Sequence, residues 1–162
     1  MSPLTRFKFF LWSFGHFKVP LIGHLRPKLI QLDDKHIVAK LPLSRRSKNH
    51  LNSMYFGALA VGADLAGGLH SFYHADRAKL KASVVFKSFQ AQFIRRPESD
   101  VYFVSEMGDV VKAMLDESQK TGERINKPIK IKAFVNYPDN PEEVADFTLE
   151  LSIKVLTKIE NE

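Results

Sequence analysis

From Asn49 to Leu69 the chain reads NHLNSMYFGALAVGADLAGGL, with Asp64 as its only acidic or basic residue apart from histidine, although 26% of the whole sequence is charged. Gly57, Ala58, Ala60, Gly62, Ala63, Ala66, Gly67 and Gly68 would make a poor helix in isolation, because each interior Gly costs about 0.5–1 kcal/mol relative to Ala. A helix of this composition is stable only if other structure approaches it closely on most sides. A curved sheet wrapped around it would supply that burial and would explain the small side chains. The helix is expected to begin near Tyr55, with Asn52 or Ser53 as its cap, and to run to about Phe72.

The flanking segments carry the strands such a sheet needs. KLIQL and HIVAKLPL lie on either side of Asp33-Asp34-Lys35, a polar break short enough for a hairpin. SVVFKSFQAQFIRRP and DVYFVSEM follow the helix; in the first, Val85, Phe89, Ala91 and Phe93 line one face, with Lys87 intruding on it. DVVKAMLDESQKTG has helical spacing in Val110, Val111, Met114 and Leu115, with Gly122 as its stop. The last two strands alternate most clearly, through Ile129, Ile131, Ala133 and Val135, then Ala145, Phe147, Leu149, Leu151, Ile153 and Val155. The order is helix, two strands, small-residue helix, two strands, short helix, two strands. It predicts an α+β fold in which a six-stranded antiparallel sheet packs on one long helix.

The first residues, TRFKFFLWSFGHFKVPLIGHL, place Phe7, Phe10, Leu11, Phe14 and Phe17 near helical spacing. Lys8, His16 and Lys18 interrupt the apolar run, which falls far below the roughly 20 residues needed to span a bilayer, and no small-residue cleavage site follows. A helix packed on the domain or on a partner subunit is the favoured reading, and weak contact with a membrane surface is the second. Pro20 and Pro27 are expected to end it. Residues 1–26 thus form an amphipathic helical segment and residues 27–162 a single domain, the size being ordinary for one core. With no sign of a signal peptide, a cytoplasmic protein is expected.

The formal charge of +6 suits an anionic partner. The chain contains no cysteine, which removes disulfides, Cys-based zinc sites and thiol nucleophiles. His70 and His74 are spaced i,i+4, but no acidic or thiol ligand pattern accompanies them, and no metal or cofactor is expected. No G-x-S-x-G elbow, Walker loop or dinucleotide fingerprint occurs. The basic residues lack the aromatic interleaving of a nucleic-acid surface, so nucleic-acid binding ranks last.

The element order resembles the hotdog fold, in which a sheet curls around a central helix. The helix start also resembles the motif of the phenylacetyl-CoA-type acyl-CoA thioesterases, and of a thioesterase-like branch near them: Asn, two residues, Gly, two residues, His-Gly-Gly, six residues, Asp. Asn49 stands at the Asn, Asn52 at the first Gly, Tyr55 at the His, Phe56 and Gly57 at the Gly pair and Asp64 at the Asp, with no gap. Two departures stand out, Tyr55 for His and Phe56 for Gly. The His plus Glu arrangement of the dehydratases of this fold is absent.

The resemblance implies hydrolysis of an acyl-CoA or related acyl thioester, in fatty acid metabolism, by a homodimer or dimer of dimers whose subunits share each pocket. Asp64 would be general base or nucleophile, and a buried carboxylate among apolar neighbours is suited to that by its shifted pKa; a structural Asp paired with a Lys or Arg of the other subunit is the alternative. The Gly57 amide, at a helix start, would hold the oxyanion. Asn49 would orient water or hold its loop, and Tyr55 would offer a hydroxyl where the family has imidazole. Arg95 and Arg96, with Arg45, Arg46 and Lys48, are candidates for the phosphates of coenzyme A. The alternative function is a non-catalytic acyl-CoA or lipid binder.

Overall fold

The computed structural model describes residues 2–158. The outer ends of the two expected segments, residue 1 and residues 159–162, lie outside them. Ten elements follow in chain order: α1 (Pro3–Phe17), α2 (Pro20–Leu25), β1 (Lys28–Leu32), β2 (Ile37–Leu41), α3 (Phe56–Arg77), β3 (Leu80–Phe93), β4 (Val101–Ser105), α4 (Gly108–Thr121), β5 (Ile125–Val135) and β6 (Glu142–Lys158). The six strands form one antiparallel sheet in the order β1-β2-β4-β5-β6-β3, so β1 and β3 are its edges. The sheet wraps α3, which touches β2 through β6, as the small-residue composition predicts.

The reason for the glycines is visible at Gly62: a Cβ there would overlap the ring of Phe103, which is fully buried on β4. Gly62→Ala is expected to cost about 1–3 kcal/mol by overpacking, read as a lower urea midpoint at unchanged m-value. The alternating strands behave as their pattern demands. Ile129, Ile131 and Ala133 face Leu149, Phe147 and Ala145 across the β5–β6 ladder, all six buried. On α4, Val111, Met114 and Leu115 are buried, and Gly122 closes the helix at φ 73°.

Four expectations are corrected. Pro20 does not merely stop the first helix; it opens α2, since Pro is pre-shaped for the first helical turn. α1 and α2 then meet backbone to backbone, a Cβ on Gly15 or Gly23 overlapping the other's main chain. α3 begins at Phe56 with Tyr55 as N-cap residue and no side-chain cap, so neither Asn52 nor Ser53 caps it. It also runs on to Arg77, because His70 and His74 are buried partners of the β1–β2 turn. In each histidine Nε2–H donates to a carbonyl oxygen, His70 to Asp33 and His74 to Asp34, both at 3.1 Å. Finally, the irregular β3 contains a bulge between Phe86 and Ser88. The extra residue flips the alternation, so Val85, opposite Ser152, lies on the other face from Phe89, opposite Leu149.

α1 packs on the domain through buried Phe7 and Leu11, while Phe9, Trp12 and Phe17 face outward. Its Arg6 forms an ion pair with Asp76 of α3. No described helix is long and apolar enough to cross a membrane.

Candidate active site

Asp64 sits midway along α3 on the face turned toward α1 and β3. Beside it lies a cavity of about 230 Å³ walled by apolar side chains, among them Phe10 and Phe14 of α1, Ile22 of α2, Phe72 of α3, and Val84 and Phe86 of β3. Burial pushes the carboxyl pKa up from 3.8, and no hydrogen bond or ion pair offsets it among the described residues. An unpaired carboxylate with a raised pKa is a stronger base than one in water and costs folding energy to keep. An ion-paired Asp64 would need a partner from outside the described residues, such as a Lys or Arg of another subunit.

The loop before α3 is built by its polar side chains. The Asn49 side-chain oxygen accepts from Leu51 N–H at 2.9 Å, Ser53 N–H at 3.2 Å and the Ser53 hydroxyl at 3.2 Å. Of the two roles open to Asn49, holding the loop is the one these bonds perform. Asn52 adopts φ 60°, a left-handed conformation that Asn tolerates, which is why it can stand where the resembling motif has Gly. Its side-chain oxygen takes the Lys48 ammonium at 2.8 Å. The chain then enters α3, where the N–H groups of Ala58 and Leu59 both turn to Tyr55 O. Those of Phe56 and Gly57 have no acceptor among the described residues, as expected in a first helical turn. They are donors open to an oxyanion. The Tyr55 ring lies against Gly57, filling the place a Cβ would take, and it is 48% exposed.

Along one helix, seven residues put Gly57 and Asp64 on the same face about 10 Å apart. Beside this face, the open edge of β3 presents Phe89 and Phe93, both partly exposed, with Phe56 stacked edge-on to Phe93 at 6.4 Å.

The five basic candidates are not one cluster. Arg45 and Lys48 share an open surface hollow of about 450 Å³ with Leu43, Ser44 and Asn52. Arg46 turns away to His24 O at 3.3 Å and to a separate groove with Lys8, His16, Arg26 and Lys28. Arg95 is paired with Glu142, and Arg96 with Glu98 at 2.9 Å. The two loops nevertheless touch, through Met54 N–H to Pro97 O at 2.9 Å.

Sequence reasoning missed the aromatic wall around Asp64, because helical spacing assigns Phe10 and Phe14 only to packing. Their i,i+4 spacing was the available signal, but nothing local tells that the helix bearing them lies over Asp64. It also gave His70 and His74 no structural partner, since the carbonyls they bind are far away in sequence.

Residues 8–153 match the family described as Domain of unknown function (DUF4442). No curated protein matches the chain. Solved structures agree over nearly the whole length at low identity. A protein of unknown function from Chlorobaculum tepidum gives a TM-score of 0.80 at 11% identity, covering 93% of this chain and 96% of that one. A Shewanella oneidensis protein with a provisional thioesterase name gives 0.76 at 13%, covering 94% and 97%. A thioesterase of Haemophilus influenzae gives 0.63 at 14%, covering 100% and 95%. The chain belongs to the DUF4442 family and has the hotdog fold.

Proposed function

We propose that the protein hydrolyses an acyl-CoA or related acyl thioester. The observation that carries this is Asp64: a carboxylate without a partner among the described residues, its pKa raised by burial, at the wall of an apolar cavity. The thioesterase names borne by structures of the same fold support it.

Asp64 takes a proton from water, whose oxygen adds to the thioester carbonyl. The oxyanion forms against helix-start N–H groups at Gly57, a donor of this kind being worth about 10²–10³ in rate. The C–S bond then breaks, the proton passes to the thiolate, and a carboxylic acid and a thiol leave. Direct attack by the carboxylate, followed by hydrolysis of the anhydride, gives the same products. About 10 Å of helix separates donor and base in one copy. We therefore place the Gly57 donor of one subunit opposite Asp64 of another, in a homodimer built on the β3 edge, where Phe56, Phe89 and Phe93 are left partly uncovered. Such an edge is apt for pairing with a second copy. Tyr55 stands beside the donor as a source of a hydroxyl.

Arg45 and Lys48, whose hollow reaches Asn52 in the loop before α3, are assigned to the phosphates of coenzyme A, with Arg95 and Arg96 on the neighbouring loop. Arg45→Ala combined with Lys48→Ala is expected to raise KM for an acyl-CoA about 10-fold relative to that for the matching N-acetylcysteamine thioester, which lacks phosphate, as loss of one charge-assisted contact predicts. Exposed Phe9, Trp12 and Phe17 beside Lys8 suit weak contact with a membrane surface.

The Tyr55 ring against Gly57 favours a second reading, an acyl-CoA or lipid binder without turnover. Thiol release from a panel of acyl-CoAs, by the wild type and by Asp64→Asn, separates the two. Turnover lost on substitution supports the enzyme, and tight binding without turnover by either form supports the binder.

A further inference from the structure

Beyond the cavity at Asp64, the same face of α3 borders a second one of about 450 Å³, reaching Ser71, Ala75 and Asp76. The two share Phe10, Phe72 and Val84 in their walls, so they adjoin at these three side chains beneath α1. Gly68, Ser71 and Ala75 follow Asp64 at helical spacing; the Phe86 ring lies against Gly68, and Ser71 and Ala75 border the far cavity. Ser71 is fully buried, and its hydroxyl, at the wall of the far cavity, has no partner among the described residues. At the far end stands the Arg6–Asp76 ion pair, where the apolar lining stops.

We infer that the two cavities form one channel within a single subunit, roofed by α1, that holds the straight acyl chain of the thioester proposed above; the inference rests on that proposal for its substrate. The carbonyl end lies at Asp64. The chain passes between Phe10 and Val84 and runs toward Asp76. Helix rise sets its reach at about 10 Å to Ser71 and about 18 Å to Asp76, a span for medium to long chains, decanoyl to tetradecanoyl. Short acyl groups fill only the near cavity and leave the far one without a ligand.

The test is a comparison of kcat/KM for butanoyl-, octanoyl- and dodecanoyl-CoA in the full chain, with Val84→Phe placed at the wall the two cavities share. The wild type is expected to favour dodecanoyl over butanoyl, and Val84→Phe to lower that ratio by about 10-fold or more, the scale on which pocket shape discriminates methylenes. Should Val84→Phe fail to fold, Ala82→Leu, on the half-buried wall of the far cavity, carries the same expectation. Independently of turnover, dansyl-undecanoic acid is expected to bind Asp64→Asn and to lose affinity about 10-fold when Val84→Phe is added. Turnover that ignores chain length in the wild type and in both variants overturns the channel and leaves the thioesterase standing. Absence of turnover with chain binding lost in Val84→Phe overturns the thioesterase and leaves the channel.

Discussion

Asp64→Asn is expected to lower acyl-CoA turnover by about 10²–10⁴-fold, the usual contribution of a positioned base, while the protein stays folded and melts at the same temperature or higher. The two halves of that expectation have one cause. The carboxylate lies in an apolar setting that raises its pKa, without a partner among the described residues, so ionising it works against folding. An amide of the same shape removes that cost and the base together. A structural aspartate would show the reverse: lost stability with turnover little changed. Thiol release and a thermal melt on the same preparation decide between them.

The second large effect concerns pH. His70 is fully buried, and burial, opposed by its bond to Asp33 O, brings its pKa from 6.5 down to about 4. His74 shifts the same way, again through burial first. Between these values the unfolded chain binds a proton that the folded one refuses, so stability is full above the ordinary histidine pKa and falls as pH drops toward the folded one. For His70 the loss approaches about 3 kcal/mol. Urea unfolding at pH 7 and pH 4.5 is expected to show it, and His70→Gln to shrink the difference. Asp64 acts in the opposite sense, because its raised pKa favours the folded state once it is protonated. The acid loss should therefore be larger in Asp64→Asn. Asp33 does not confuse the window: burial would raise its pKa, but bonds from Gln31, from the amides of Lys35 and His36 and from the His36 ring hold it well below the carboxylate range.

Sheet and central helix were legible because they write their environment into every second or every third to fourth residue. β5 and β6 alternate without a break, and the glycines of α3 announce a close neighbour such as Phe103. The unreadable parts depend on distant partners. His70 and His74 look like the polar end of a helix until the β1–β2 turn folds onto them. Lys87 looks like a flaw in a strand, and the bulge that absorbs it belongs to the pairing with β6. At the site, the spacing from Asn49 to Asp64 could be read along the chain, and the fold puts the carboxylate beside a cavity. The basic residues could not be sorted, because whether Arg95 is free depends on Glu142 across the sheet.

The contact of Gly15 with Gly23 has a mechanical consequence. Two helices fused main chain to main chain cannot be peeled apart one at a time, so any motion that lifts α1 from α3 must carry α2 with it as a single flap. The pivot falls where left-handed Arg26 meets Pro27, and amides on both helices should then exchange with deuterium at one common rate.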